Sequence, residues 1–512
     1  MVSSHRQDKA IGTNLGAVLP NDETPWYKKR HLLRLNLCLF CIFLFSSANG
    51  YDGSMMNGLQ ALPQWHTFMS HPAGPWLGFI NAVQSLGAVV CYPTVAWFNN
   101  RFGRKRSIAT GYLWLILGVG LQTAARDPVD FVLGRLFIGG ASAFFGISGA
   151  ILITETAYPT HRGIFTALSN CGWFLGSLIA AWATYGTRSY TSSWAWRVPS
   201  LLQIAIPTVA LYGLCVTPES PRWLVATKRF HEARAVLIKH HAGGDEMSAL
   251  VEFEFEEITR AIALEEEFAA TASYADMVRT RANRHRLFIS VTLGIFSQWN
   301  GIGLVSYYLA PILASVGISS VGNQTMISGF LQLWNLGFAV AAAFTVDRVG
   351  RRPIFLTSCL GMLVTLILIT SLSGTFASTG TTAIGTAVIP FIFLFSGFFD
   401  IAFTPLLYAY ICEIWPYNLR ARGLSIGLVS TQLAVFFNIF VNPIALDSIG
   451  WRYYFVYLAM LVIIFLTMFF FYPETRGHSL EEMSVVFDGL DPAAANASST
   501  VDSSGSCGEK TA

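Results

Sequence analysis

One carboxylate lies within an otherwise apolar stretch of the sequence. Asp52 is flanked by Gly50 and Gly53 in the segment FLFSSANGYDGSMMNGLQ, which spans residues 43–60. A carboxylate placed in hydrocarbon costs about 2.5–3.5 kcal/mol unless it is paired, protonated or hydrated, so such a residue marks a functional site. We predict that its partner is Arg135 in FVLGRLFIGG, the other strong charge well inside an apolar run of the N-terminal half.

A buried pair of aspartate and arginine can do proton chemistry. Removal from water favours the protonated carboxyl group, whereas a neighbouring guanidinium favours the carboxylate. If a conformational change alternates these two environments, the pair takes up a proton in one state and releases it in the other. The competing interpretation is a permanent structural ion pair.

The composition indicates which elements must position this pair. Of the 512 residues, 53% are hydrophobic and only 12% are charged, with a mean hydropathy of +0.49. Soluble domains contain about 25% charged residues, so we predict a polytopic membrane protein. The eight cysteines are scattered, unlike a disulfide framework. Cys38 and Cys41 form a CxxC without a second pair of ligands, so we predict no metal site and no cofactor.

Twelve apolar runs are long enough to cross a bilayer, which takes about 20 helical residues. The predicted spans are residues 34–57, 75–98, 107–125, 129–153, 164–186, 197–216, 286–314, 325–345, 353–373, 384–412, 422–446 and 452–472. The first run follows a polar segment without a cleavable signal pattern, so we expect it to remain as a transmembrane helix.

The positive charges predict the topology and the domain organisation. Lys and Arg concentrate in the loops of one side, and they are absent from the loops 58–74, 315–324 and 374–383. This asymmetry predicts that both termini are cytoplasmic. Asn323 in NQT fits a glycosylation sequon on the outer side. The predicted units are a cytoplasmic tail at 1–30, a six-helix half at 31–216, a cytoplasmic linker with short amphipathic helices at 217–285, a second six-helix half at 286–487, and a disordered cytoplasmic tail at 488–512.

Three motifs of the sequence occur twice. NRFGRKR with Arg104 returns as DRVGRRP with Arg351, ETAYPTHRG with Glu155 returns as EIWPYNLRARG with Glu413, and PESPR with Glu219 returns as PETRG with Glu474. The offsets of 247, 258 and 255 residues are nearly equal, and the motifs follow the second, fourth and sixth predicted helix of each half. A parallel duplication of this kind places a substrate site between the two halves, near the middle of the membrane.

With these motifs in this order, residues 30–487 resemble the sugar porter family of the major facilitator superfamily. The patterns QWNGIGLVSYYL and NPIAL look closest to the fungal lactose and cellodextrin permeases. The resemblance implies an all-α membrane protein with twelve transmembrane helices in two six-helix halves and with cytoplasmic N- and C-termini. It also implies that Asp52 and Arg135 couple transport to a proton.

The family resemblance further implies a gate of ion pairs at the cytoplasmic helix ends. We expect these pairs to latch the two halves together on the inside and to break when the halves rock apart. The alternative is that the arginines only set the topology. The predicted gate residues are Arg104, Glu155, Arg162, Glu219, Arg222, Arg351, Arg352, Glu413, Arg420 and Glu474.

Sugar sites combine amides and carboxylates for hydroxyl groups with aromatic rings for C–H faces. By similarity to the family, the predicted substrate contacts are Gln298, Asn300, Asn335, Asn170, Tyr307, Tyr308, Asp400, Tyr408 and Gln432. Ser297 and Gly303 stand where the family has longer amides, so we expect a pocket wide enough for a disaccharide. The alternative for each amide is a hydrogen bond between helices, worth about 0.6 kcal/mol.

These features together predict a sugar importer of the plasma membrane. We expect proton-coupled symport of a lactose- or cellobiose-like disaccharide or of a hexose, with the sugar, the proton and the lipid bilayer as partners. No enzyme signature, nucleic-acid partner or obligate protein partner is predicted. The alternatives are a sugar-sensing transceptor and a transporter of a non-sugar such as a polyol, a quinate-like acid or a secondary metabolite.

Overall fold

The computed structural model describes Val18, residues 24–271, residues 273–476 and Phe487. Within these ranges, the side chains of residues 166, 167, 169, 170, 268–271, 343–348, 417 and 418 are not described. The predicted tail at 488–512, most of the tail at 1–30 and the side chain of Asn170 therefore lie outside the described part of the chain.

The described residues form helices, as the sequence predicts. The N-terminal half contains the long helical segments α1 (Arg30–Leu59), α2 (Gly74–Phe102), α3 (Arg104–Ala124), α4 (Pro128–Thr156), α5 (Pro159–Thr187) and α6 (Trp194–Val216). Segment α4 contains a π-helical turn at Phe145–Gly149, and α6 consists of Trp194–Leu202 and Ala205–Val216. A short helix at Pro63–Phe68 lies between α1 and α2.

The C-terminal half repeats this arrangement. Its long segments are α7 (Arg281–Ser315), α8 (Val321–Val349), α9 (Arg351–Thr379), α10 (Thr382–Ile414), α11 (Tyr417–Ile449) and α12 (Tyr454–Phe471). Segment α7 consists of two helices, Arg281–Trp299 and Ile302–Ser315, which are separated at Gly301. Gly301 has φ +97°, a backbone conformation that favours glycine.

Ten stretches of the described residues are long and apolar enough to cross a membrane. One of them, Leu419–Phe471, includes most of α11 and all of α12, and α5 is a further long helix outside the ten. The count of twelve crossings and the cytoplasmic position of the termini stay predictions.

Between the two halves, the described residues of the linker form four helices, which contact elements of both halves. The helices are Pro221–Ala226, Phe230–His240, Ala249–Thr271 and Asp276–Arg279. The imidazole of His241 joins the linker to the end of α4, because its Nδ1 lies 2.6 Å from Glu254 Oε2 and its Nε2 lies 3.3 Å from the carbonyl oxygen of Thr156.

Two glycines shape the turns that carry the repeated arginine motifs. Gly103 joins α2 to α3 with φ +95°, and Gly350 joins α8 to α9 with φ +109°. We call the end of the bundle with these two turns the basic end. The end that carries residues 60–73 and 316–320 is called the opposite end.

Small residues allow α1 and α5 to cross at close range. A Cβ atom at Gly176 would overlap the carbonyl oxygen of Ser47, and one at Gly50 would overlap the carbonyl oxygen of Trp173. The hydroxyl of Ser177 donates to the carbonyl oxygen of Gly50 at 2.9 Å. Such contacts of small residues are the usual basis of tight helix packing in membranes. They fix the stretch of α1 that precedes Asp52.

We predict that Gly176→Ala lowers the thermal stability of the carrier, because the added methyl group forces α1 and α5 apart. Overpacking of this kind costs about 1–3 kcal/mol. The matched control is Gly186→Ala in the same helix, since a Cβ there meets nothing within 4 Å. The midpoint of thermal unfolding in detergent measures the effect. Equal midpoints for the two variants would contradict the close crossing.

Candidate functional site

The structure brings together the two charges that the sequence pairs. Asp52 on α1 is 0% exposed and Arg135 on α4 is 2% exposed, and Nη1 of the arginine lies 3.1 Å from Oδ1 of the aspartate. Arg135 also donates from Nε to the carbonyl oxygen of Ile80 at 2.8 Å and from Nη2 to that of Asn81 at 3.3 Å. The guanidinium is thus held by carbonyl groups of α2 as well as by the carboxylate.

The carboxylate of Asp52 is paired through one oxygen atom. No described residue forms a hydrogen bond with its Oδ2. A buried carboxylate oxygen without a donor is unfavourable, and protonation of that oxygen reduces the cost. The pair therefore has a position at which a proton can bind while the contact with Arg135 persists.

A tyrosine of the C-terminal half lies against this site. A Cβ atom at Gly53 would lie 3.3 Å from the Trp173 ring and 3.4 Å from Cε1 of Tyr307. Trp173 belongs to α5 and Tyr307 to α7, so Asp52 is positioned where the two halves meet. The charge state of Asp52 can therefore influence a contact between the halves.

Further along α1, two amides join the halves at the opposite end. Gln60 donates from Nε2 to the carbonyl oxygen of Tyr307 at 2.9 Å. The backbone N–H of Ala310 donates to Oδ1 of Asn57 at 3.2 Å. Between these contacts the helix of α7 is broken at Tyr308, with φ −134° and ψ 27°. The amides of α1 thus bind the backbone groups that this kink releases.

A second buried carboxylate lies in the C-terminal half. Asp400 on α10 is 1% exposed, and its Oδ1 accepts a hydrogen bond from Thr404 at 3.1 Å. The amide of Asn335 on α8, oriented with its nitrogen toward Asp400, donates to Oδ2 at 3.3 Å. Two of the predicted substrate residues are therefore neighbours, and both partners of this carboxylate are neutral groups.

Gln432 on α11 lies at the contact between the two halves. It donates from Nε2 to the hydroxyl of Tyr92 on α2 at 2.6 Å. Tyr92 is a site candidate that sequence reasoning missed, although a tyrosine beside Pro93 within an apolar run is a recognisable signal. Tyr408 is half-buried two turns after Asp400 on the same helix.

Two of the predicted substrate contacts have structural roles. Asn300 is fully buried at the break of α7, where its Oδ1 accepts from the backbone N–H of Ile302 at 3.0 Å. Tyr308 is also fully buried and donates to the carbonyl oxygen of Ile439 at 2.6 Å. Their polar atoms form hydrogen bonds within the protein, and their contact with a substrate stays a prediction.

The space beside Gly303 is filled by the protein. A Cβ atom at this position would collide with Oδ1 of Asn438. Asn438 donates to the carbonyl oxygen of Gln298 at 2.9 Å and accepts from Asn442 at 2.7 Å. The missing side chain at Gly303 therefore makes room for Asn438, which removes the physical reason to expect a wider pocket there.

At the basic end of the N-terminal half, two glutamates bind the turn that contains Arg104. The guanidinium donates to Glu155 through Nε at 2.9 Å and through Nη2 at 3.0 Å. Glu219 accepts from the backbone N–H groups of Arg104 and Lys105, each at 3.2 Å. The hydroxyl of Ser220 donates to Glu155 at 2.5 Å.

The C-terminal half forms the same cluster from the second copy of each motif. Arg351 donates to Glu413 through Nη2 at 2.8 Å and through Nε at 3.2 Å. Glu474 accepts from the backbone N–H groups of Arg351 at 2.9 Å and of Arg352 at 3.0 Å. Burial disfavours the ionised form of Glu474, but these donors and the N–H groups of Arg476 and Thr475 together hold its pKa below the usual value.

The ion pairs of Arg104 and Arg351 join elements within one half, and a latch between the halves stays a prediction. Arg222, another predicted gate residue, pairs with Glu265 of the linker. The side chain of Arg352 donates to the carbonyl oxygen of Phe469 at 2.6 Å and not to a glutamate. The assignment of Arg162 and Arg420 to the gate stays a prediction.

The known proteins that are similar to this chain are transporters. The family profile described as "Sugar (and other) transporter" matches residues 38–487. The chain is 28% identical over 470 residues to "MFS glucose transporter mfs1" of Aspergillus flavus. The aligned region covers 87% of this chain and 88% of that protein. It is 24% identical to the "High-affinity glucose transporter" of Kluyveromyces lactis over 92% of this chain and 88% of the relative.

Among solved structures, the inward open conformation of the xylose transporter XylE from E. coli has a TM-score of 0.73 with this chain. The two are 23% identical over 88% of this chain and 100% of the other. This likeness shows a shared fold. The relatives reported above are named as glucose transporters, so they do not support the expected closeness to lactose and cellodextrin permeases.

We predict that Arg104→Ala and Arg351→Ala lower the thermal stability additively, because the two clusters lie in different halves. The effects of mutations at two distant sites on the free energy of unfolding add to within about 0.5 kcal/mol. For residues in contact, the combined effect deviates from the sum by about 0.5–3 kcal/mol. The control is Arg104→Ala combined with Glu155→Ala, which should be non-additive because the two side chains are paired. Coupling between Arg104 and Arg351 as strong as in the control would show that the clusters meet across the halves.

Proposed function

Since the chain belongs to the sugar (and other) transporter family of the major facilitator superfamily, we propose that this membrane transporter moves a hexose together with a proton by alternating access. The observation that carries the proton-coupled part is the fully buried pair of Asp52 and Arg135. Its second carboxylate oxygen has no donor among the described residues. The xylose transporter XylE is described as a proton:xylose symporter, which supports coupling in the same fold.

The proton-binding step follows from the surroundings of Asp52. When Asp52 is ionised, Arg135 neutralises it, and the carbonyl groups of Ile80 and Asn81 keep the guanidinium in place. When water reaches Oδ2 from one side, a proton can bind there and remove the charge. The neutral acid holds Arg135 less strongly, so α1 and α4 can separate at lower cost.

Helix α1 can transmit this change to the contact between the halves. Asp52, Asn57 and Gln60 lie on or at the end of the same helix, within about two turns. A shift of α1 after protonation would disturb the bonds from Gln60 to Tyr307 and from Asn57 to Ala310. We infer that these bonds close the outer side and that their loss opens it.

The sugar site is proposed at the contact surface between the two halves. Asp400, Asn335, Gln298 and Gln432 supply the acceptors and donors that hydroxyl groups need, and the rings of Trp173 and Tyr408 offer apolar faces. Asn170 remains a proposed contact of α5. The predicted set also includes Asn300 and Tyr308, whose polar atoms form hydrogen bonds within the protein.

A hexose is preferred over a disaccharide for two reasons. The two relatives from Aspergillus flavus and Kluyveromyces lactis are named as glucose transporters. In addition, Asn438 fills the space that Gly303 was expected to leave. Twelve crossings, cytoplasmic termini and location in the plasma membrane complete the proposal. The side on which Lys and Arg concentrate supports the cytoplasmic termini.

We predict that Asp52→Asn abolishes sugar accumulation against a gradient but preserves exchange of sugar between equal concentrations. The amide has the size of the carboxylic acid but cannot release a proton. The measurement is uptake of labelled glucose, with and without an uncoupler, beside counterflow in proteoliposomes. The control is Asp127→Asn, an exposed aspartate of the same half. Concentrative, pH-sensitive uptake by the Asp52 variant would overturn the role of this residue.

We predict that cells lacking their own hexose carriers take up labelled glucose through this protein, and that lactose and cellobiose compete weakly. Gln298→Ala should raise the KM about tenfold, the cost of one hydrogen bond to a hydroxyl group. The control is Gln64→Ala, a half-buried glutamine at the opposite end that donates to the carbonyl oxygen of Tyr190. Faster uptake of lactose than of glucose would favour the disaccharide, and no uptake of any sugar would favour a sensor or a non-sugar substrate.

A further inference from the structure

A cavity lies outside the proposed sugar path, at the basic end of the N-terminal half. It has a volume of about 540 Å³ and lies between the turn of α2 and α3, the end of α6 and the first two linker helices. Its lining includes Trp223 and the charged residues Lys105, Arg106, Glu219, Glu232 and Lys239. We call this cavity the basic pocket.

Hydrogen bonds fix the walls of the basic pocket. The indole N–H of Trp223 donates to the carbonyl oxygen of Asn100 at 3.0 Å. The hydroxyl of Ser220 accepts from the backbone N–H of Trp223 at 3.1 Å, which caps the helix Pro221–Ala226. Because these bonds tie the linker to the end of α2, the pocket is preformed and does not need to be ordered by a ligand.

The pocket has an excess of positive charge. Of its two carboxylates, Glu219 accepts from backbone N–H groups of α3, and Glu232 is bound to Arg229 through Nε at 2.7 Å. Lys105, Arg106 and Lys239 have no carboxylate partner among the described residues. The ammonium of Lys105 donates to the carbonyl oxygen of Cys215 at 3.3 Å, which leaves it two further donors.

His240 also lines the pocket, and nearby positive charges contribute to the lowering of its pKa. Burial, together with the charges of Lys239, His241, Arg34 and His31, lowers the pKa of His240 to about 4. His240 is therefore neutral at pH 7, and the positive field of the pocket comes from Lys105, Arg106 and Lys239. A field of this sign attracts an anion.

We propose that the basic pocket binds a phosphate-bearing anion, either the headgroup of an anionic phospholipid or a soluble phosphate ester. A phosphate group offers several acceptor oxygens and more than one negative charge, which matches two adjacent cations of α3 and a third on the second linker helix. A carboxylate would engage fewer of them. The volume leaves room for an attached polar group against Trp223 and Phe102, which also line the pocket.

The test uses the full-length carrier in nanodiscs and two probes. One probe is phosphatidylinositol, present as about one fifth of a phosphatidylcholine bilayer. The other is glycerophosphoinositol added to nanodiscs of phosphatidylcholine alone. Native mass spectrometry counts the retained lipid, and equilibrium dialysis measures the soluble ester.

The test variant is Lys105→Gln with Lys239→Gln, which removes two of the three cations. The control is Arg260→Gln with Arg279→Gln, two exposed cations of the linker that do not line the pocket. We expect the test variant to lose binding about tenfold or more, because charge-assisted contacts to phosphate are lost. The control should bind like the unmodified carrier. All four substitutions lie at partly or fully exposed positions, and a single symmetric peak in gel filtration checks folding.

The two probes separate the sources of the ligand. Retention of phosphatidylinositol without binding of glycerophosphoinositol assigns the pocket to a lipid headgroup, and binding of the soluble ester assigns it to a free phosphate ester. The proposal is overturned if neither probe binds the unmodified carrier. It is also overturned if the test variant binds both probes as well as the control variant.

Discussion

The buried ion pair between Asp52 and Arg135 is the constraint on which the N-terminal half depends. A carboxylate and a guanidinium away from water are tolerable only if each has good partners. This requirement brings α4 to α1 and directs two carbonyl groups of α2 toward the same guanidinium. Three helices are thereby fixed around one charge. One oxygen of the carboxylate has no donor among the residues that the structure describes, so the pair retains a position at which a proton could bind.

Each of the duplicated clusters at the basic end joins elements of one half, so that each half can move as a rigid body. In each half, an arginine binds the glutamate at the end of the fourth helix, and a second glutamate accepts from the backbone at the turn of the arginine motif. Bonds of this kind stiffen a half without attaching it to the other. Rocking of one half against the other then requires no change within either cluster, which is the motion expected of two related bundles.

The contacts between the halves have a different character. At the opposite end they consist of side-chain amides of α1 bound to backbone groups of α7, where the helix is broken at Tyr308. A broken helix exposes polar backbone groups that must find partners in an apolar environment. Those partners come from the helix that carries Asp52. The pair of Asp52 and Arg135, the kink of α7 and the contacts at the opposite end are therefore connected through a single helix.

The sequence by itself determined the helical class, the family and the identity of the charged pair, because hydropathy, repeated motifs and the rarity of intramembrane charge are local properties of the chain. It also identified the glutamates that bind the arginine motifs. Only the tertiary structure decided which partners each residue meets. Arg104 and Arg351 bind within their own halves, Asn300 and Tyr308 satisfy backbone groups, and Asn438 fills the space beside Gly303. A polar side chain in a membrane helix takes the nearest available partner, and that partner depends on the packing of helices far apart in the sequence.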